Sequence, residues 1–167
     1  MGAVAAAMKQ RGWDVTGSDE KPYPPLSDFL EAQGITVSLG YSQENLPKKE
    51  ALIVIGNALS RGNPEVEAVL NRKLLYTSLP ELLRTHFLQG RHNLVVTGTH
   101  GKTTTSSMLT WIFEYAQKKP SYLIGGIPVK SLPISPSCPQ PSLPCVVLRT
   151  ILSCSFFSSL HFVSRPS

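Results

Sequence analysis

Lys102, held between Gly98-Thr99-His100-Gly101 and Thr103-Thr104-Thr105, is placed to meet a chain of phosphates. Glycines let backbone N–H groups close in on phosphate oxygens. A helix opening at the lysine adds free N–H groups and the positive end of its dipole. The Lys102 ammonium can reach the β- and γ-phosphates of a nucleoside triphosphate, and the Thr103 hydroxyl can ligate the accompanying Mg²⁺. Thr104 is a further phosphate or metal contact. His100 can donate to a phosphate oxygen or stand in solvent as a spacer, and it takes a supporting role rather than that of a base.

For this loop to work, a strand must deliver it and a helix must leave it. Leu94 to Thr97 reads as the strand. Thr103 to Gln117 reads as the helix, with Met108, Ile112 and Tyr115 on one face. The general P-loop pattern wants a glycine five residues before Gly101, where Val96 stands, so this is a shorter loop, G-T-H-G-K-T-T.

Upstream, helix-like and strand-like segments alternate. Val4 to Arg11 is an alanine-rich helix closed by Gly12, and Trp13 to Thr16 is a strand ending at Gly17-Ser18-Asp19. A helix follows Pro24-Pro25 and stops at Gly34, and Ile35 to Leu39 is a short strand. Ala51 to Ile55 is a continuous apolar run suited to a central parallel strand. Asn63-Pro64-Glu65 starts a helix: cap, first-turn proline, and an acid at the positive end, with Val66, Val69 and Leu70 on one face. Leu74 to Thr77 is another strand, and Ser78 caps a helix running to about Leu88. After Gly90 the second unit begins, and Ser121 to Ile124 is a further strand ending at Gly125-Gly126. The alternation predicts an α/β fold: a Rossmann-like parallel sheet over 1–89, the start of a P-loop ATPase α/β domain over 90–128, and an irregular tail over 129–167.

The tail differs in kind. All 11 acidic residues of the 167-residue chain lie before it, and it holds ten serines and six prolines. Ser131 to Pro144 is a poor carrier of regular structure, and Val146 to Val163 is apolar without a clean period. The abrupt loss of every carboxylate suits translation in a shifted frame. The net charge of +5 is scattered, which argues against nucleic acid as partner. Cys138, Cys145 and Cys154 have neither disulfide-framework nor zinc spacing. Without a secretory signal or a membrane-length apolar run, a cytoplasmic protein is expected.

Several segments together carry a resemblance: Val15-Thr16-Gly17-Ser18-Asp19, Tyr23-Pro24-Pro25-Leu26-Ser27, Ile55-Gly56-Asn57-Ala58, Arg61-Gly62-Asn63-Pro64-Glu65, the phosphate loop with its histidine, and Leu123-Ile124-Gly125-Gly126-Ile127-Pro128. In these the chain resembles the amino-terminal part of the Mur ligase family, in the branch that works on UDP-N-acetylmuramate itself. The resemblance implies ATP-driven amide formation with ATP and Mg²⁺. The muramyl carboxylate takes the γ-phosphate as an acyl phosphate, and an amine then displaces phosphate, with Lys102 in the catalytic role. It implies L-alanyl-γ-D-glutamyl-meso-diaminopimelate as the second substrate, with L-alanine as the alternative acceptor. A P-loop nucleotide-binding protein without ligase activity is the other alternative. Ser18, Asp19, Asn57, Gly125 and Gly126 are the residues it assigns to the UDP-sugar. From their chemistry alone, Ser18 and Asp19 read equally as a strand-end turn, and the two glycines as a plain turn. Measured against the family pattern, the glycine-rich first strand, the acidic metal-binding segment and the carboxyl-terminal domain are expected to be missing, leaving a weak or inactive fragment.

Overall fold

A five-stranded sheet organises the first part of the protein, in the spatial order β2 (Thr36–Leu39), β1 (Asp14–Asp19), β5 (Ser159–Val163), β3 (Ala51–Ile55) and β4 (Tyr76–Ser78). The computed structural model describes residues 1–22, 24, 26–56, 59, 61–124 and, for the backbone, 159–163. The chain divides into two compact units: Met1–Leu82 with Cys154–Ser167, and Leu83–Ser153.

In the first unit, α1 (Gly2–Gln10), β1 (Asp14–Asp19), α2 (Leu26–Ala32), β2 (Thr36–Leu39), β3 (Ala51–Ile55), α3 (Pro64–Asn71) and β4 (Tyr76–Ser78) follow one another, with a 3₁₀ turn at Gln43–Asn45. β1 pairs with β2 and β3 with β4, both parallel. The apolar run read from the sequence becomes β3 at the expected bounds, and its Ile53 and Val54 are buried. Val15 is buried on β1, and Val4, Ala5, Ala7 and Met8 are buried on α1. Small residues on α1 let α2 approach closely: a Cβ on Gly2 would lie 2.8 Å from Leu26 Cδ1. Leu46, Ile53, Ala68 and Val69 form a cluster that joins α3 to the sheet. Of the face expected on α3, Val69 is buried, whereas Leu70 is exposed.

The sheet departs from the all-parallel expectation in its middle. β5 (Ser159–Val163) comes from the tail and lies antiparallel between β1 and β3. An antiparallel strand needs no crossover helix, so a long connection can deliver it in either direction. Its sequence, Ser-Leu-His-Phe-Val, alternates polar and apolar residues before a β-branched end, a short period-2 signal inside a serine-rich stretch.

The second unit holds a π-helical turn (Arg84–Leu88), which follows α4 (Leu79–Leu83), and a long helix, α5 (Lys102–Tyr115). Neither Leu94–Thr97 nor Ser121–Ile124 is a strand here, because a strand requires a hydrogen-bonded ladder and neither has one among the described residues. Their alternation still sorts their side chains. Leu94 and Val96 pack with Tyr122, Ile124, Leu109 and Phe113, while Val95 is exposed. The packed face of α5 is therefore Leu109 and Phe113 with buried Ser106 and Thr110. The expected face of Met108, Ile112 and Tyr115 is exposed, together with Trp111.

Candidate functional site

In the second unit the phosphate loop is a sharp turn that runs straight into α5. Gly98 has φ 145° and Gly101 has φ 75°, values an L side chain adopts only with strain. Gly101 is the N-cap residue of α5 and offers no side chain to the free N–H groups of the first turn. A 14-residue helix thus presents unsatisfied donors and its positive end at the loop.

Lys102 folds back over that turn. Its ammonium donates to the carbonyl oxygen of Gly98 and to that of Thr99 at 2.7 Å, and the residue is only 7% exposed. The long side chain closes the turn on itself and holds the positive charge beside the uncapped helix end. Thr99, His100, Thr103 and Thr104 are exposed around it. One turn along, Ser106 is fully buried and its hydroxyl has no hydrogen-bond partner, although its carbonyl accepts from Thr110 Oγ1 at 2.9 Å.

This donor set fits a polyphosphate: backbone N–H groups, a helix end and one ammonium, with no carboxylate among the loop residues. For a divalent cation the fit is narrower. No group of three His, Cys, Asp or Glu side chains able to hold a metal occurs among the described residues. The exposed Thr103 hydroxyl suits an ion that arrives with the nucleotide. Tyr122, packed under α5, has its phenol pushed up by burial first and by the Glu114 carboxylate second.

In the first unit two of the candidate residues, Ser18 and Asp19, stand at the carboxyl end of β1. Ser18 is fully buried on β1, with a hydroxyl that lacks a partner. An unpaired buried hydroxyl costs about 1–3 kcal/mol. Asp19 ends the strand: its carboxylate accepts from Lys21 N–H at 2.9 Å, and its carbonyl accepts from Gly40 N–H at 2.7 Å. The turn-forming reading of Asp19 is thus realised in the geometry. Asn57, Gly125 and Gly126 lie outside the described residues.

Asn63 caps α3 as expected, accepting from Glu65 N–H at 3.0 Å and Val66 N–H at 3.3 Å. Glu65 does more than the sequence reading assigned to it. It is 1% exposed and its carboxylate accepts from Asn45 Nδ2 at 2.9 Å and from Ser42 N–H at 3.3 Å. Asn45 Nδ2 also donates to the Gly40 carbonyl at 3.0 Å. Asp19, Gly40, Asn45 and Glu65 therefore tie the ends of β1 and β2 to the start of α3. Asn45 carried no signal of its own in the sequence. An acid directly after an Asn-Pro helix start reads as a dipole effect, and only its burial reveals the clamp.

The described helices include none long and apolar enough to cross a membrane. The model of the Mur ligase family, catalytic domain, matches residues 1–91. The UDP-N-acetylmuramate–L-alanyl-γ-D-glutamyl-meso-2,6-diaminoheptandioate ligase of Haemophilus influenzae is 51% identical over 127 residues, 76% of this chain and 28% of that protein. The UDP-N-acetylmuramate–L-alanine ligase of a Psychrobacter species is 36% identical over 126 residues, 75% of this chain and 26% of that protein. Among solved structures, the UDP-N-acetylmuramate:L-alanyl-γ-D-glutamyl-meso-diaminopimelate ligase from Neisseria meningitides aligns with a TM-score of 0.78 at 43% identity, over 89% of this chain and 48% of that one. The chain spans 28% of the length of its Haemophilus relative. With the family pattern running through more than half of its residues, the chain belongs to the Mur ligase family.

Proposed function

We propose that the chain carries the UDP-sugar-binding and phosphate-loop portions of an ATP-dependent amide ligase of peptidoglycan recycling, working in the cytoplasm. That enzyme joins UDP-N-acetylmuramate to L-alanyl-γ-D-glutamyl-meso-diaminopimelate. The observation that carries the reading is the buried Lys102 ammonium set over an uncapped helix start, in a chain more similar to the tripeptide ligase than to the alanine ligase. In this reading residues 1–89 bind the UDP-sugar and 90–128 begin the ATP-binding domain; 129–167 add no ligand-binding part, although Ser159–Val163 lends a strand to the first sheet.

Lys102 exchanges its two carbonyl partners for phosphate oxygens and neutralises charge there. Gly98, Thr99, His100, Gly101 and Thr104 line the phosphates, chiefly through N–H groups, and Thr103 holds Mg²⁺. The metal supplies further charge neutralisation at the phosphates. Ser18, Asp19 and Asn57 contact the UDP-sugar, with Glu65 and Asn45 holding the rim that carries Asp19. L-alanine as the acceptor is the second reading, favoured by the 36% identity to the alanine ligase.

Calorimetric titration tests this. The chain is expected to bind both a non-hydrolysable ATP analogue with Mg²⁺ and UDP-N-acetylmuramate. Lys102→Ala removes charge-assisted hydrogen bonds worth about 1.5–3 kcal/mol, so the analogue should bind ~10- to 100-fold more weakly while UDP-N-acetylmuramate is unaffected. Undiminished binding of the analogue by Lys102→Ala would sink the reading of the loop. In the whole ligase, ADP release on adding the tripeptide but not L-alanine separates the two acceptors.

A further inference from the structure

Asn45 commits its side-chain amide to two anchors at once. It donates to the Gly40 carbonyl at 3.0 Å and to Glu65 Oε1 at 2.9 Å. An amide NH₂ carries its two hydrogens in one plane, so the two acceptors together fix how that plane stands. Glu65 is sealed from solvent at the start of α3, and the same Oε1 accepts from Ser42 N–H at 3.3 Å. Ser42 in turn caps the 3₁₀ turn that leads into Asn45, its hydroxyl accepting from Glu44 N–H at 3.3 Å. One carboxylate oxygen thus holds both ends of the Ser42–Asn45 turn.

Gly40 passes the constraint on. Its φ of 75° is one that glycine adopts without strain. Its carbonyl accepts from Asn45, and its N–H donates to the Asp19 carbonyl at 2.7 Å. Leu39 stands opposite Asp19 in the parallel register, so Gly40 lies just past the carboxyl ends of β1 and β2. Open α/β sheets receive their ligands at that edge. The Asp19 carboxylate accepts from Lys21 N–H, within its own turn, while the Asp19 backbone is tied to Gly40. Glu65, Asn45, Gly40 and Asp19 form one line of hydrogen bonds. Docking of α3 does not account for it, because Leu46, next to Asn45, already packs with Val69 of that helix. Burying a carboxylate is costly, and setting a register or direction is the best-attested return for it.

We infer that Asn45 and Glu65 are positioning residues for a nucleoside-diphosphate sugar, and that they act on its affinity through Gly40 and Asp19 without touching the ligand. The inference rests on the UDP-sugar reading of the first unit. With the line intact, the free protein holds Asp19 where the ligand meets it, and less ordering is left to occur on binding. With any link removed, Asp19 must be ordered by the ligand itself.

Calorimetric titration of UDP-N-acetylmuramate into the full chain and its variants, beside thermal unfolding of each, tests this. Asn45→Ala and Glu65→Ala should each bind roughly tenfold more weakly at temperatures where circular dichroism shows them folded. Glu65→Gln, which keeps an oxygen at the Oε1 position, should return to within about threefold of the parent. The double variant Asn45→Ala/Glu65→Ala should bind no more weakly than either single one, because the same line is broken once. If Glu65→Ala does not fold, Asn45→Ala and Glu65→Gln decide. A clamp that merely held the fold would lower the thermal midpoint and leave the affinity of folded molecules at the parent value. That result overturns the inference and leaves the UDP-sugar reading standing, as do additive losses in the double variant or a Glu65→Gln as weak as Asn45→Ala. Absence of binding by the parent chain overturns the UDP-sugar reading, and the positioning role with it.

Discussion

The two candidate ligand regions are built by opposite means. The phosphate loop is local: Gly98 to Thr104 supply its glycines, its ammonium and its helix start within seven consecutive residues. The carboxyl edge of the first unit is assembled from far apart. Asp19, Gly40, Asn45 and Glu65 come from four segments of the chain, and only the sheet and α3 bring them together. A local site can be read and broken residue by residue. A distributed one stands or falls with the packing beneath it.

The comparison breaks hardest at the core. Ile53 is buried at the centre of β3 and joins the sheet to α3. Ile53→Ala should cost about 2–5 kcal/mol, seen as a lower denaturant midpoint and lost amide protection across β1, β3 and α3. Protection of α5 should hold, and equal loss there would show that the two units do not unfold independently. A smaller effect is expected at the rim. Asn63→Ala leaves the Glu65 and Val66 N–H groups uncapped and should cost ~1 kcal/mol, largely recovered in Asn63→Asp. A full loss in Asn63→Asp would mean that the side chain does something other than cap.

The smallest effect belongs to the second unit. Burial, and after it Glu114, raises the Tyr122 phenol. The folded unit therefore holds that proton more tightly than the unfolded chain does. Tyr122 contributes stability that is complete below the ordinary tyrosine value and is lost as pH rises through the folded one. Thermal midpoints of the second unit should fall above pH ~10, with a shallower fall in Tyr122→Phe. Parallel slopes in the two proteins would remove Tyr122 from the account.

What the sequence made legible follows the same division. β3 at Ala51–Ile55, the Asn63 cap and the Gly101 turn into α5 were all readable, because each depends on residue types within a few positions. β5 was not, because its partners lie more than a hundred residues away and nothing near it fixes its direction. The strand expected at Leu94–Thr97 shows the converse: its alternation is real, but alternation sorts side chains and does not create a ladder. The outward face of α5 was misassigned for a related reason. Met108, Ile112 and Tyr115 share a helical stripe, yet Leu109 and Phe113 make the contacts with Tyr122. The Glu65 clamp needed the fold itself, since no spacing announces that Asn45 will meet it.

The position of β5 also sets an order of events at the ribosome. β1 and β3 emerge early, and the strand that separates them is translated only after the whole phosphate loop and α5. At about 5–20 residues per second the two inner strand edges wait several seconds for their partner. During that interval they are open to one another in the wrong pairing and to the edges of neighbouring nascent chains. The yield of correctly folded protein should therefore depend on translation speed and on chaperone supply, in a way that the stability of the finished sheet would not reveal.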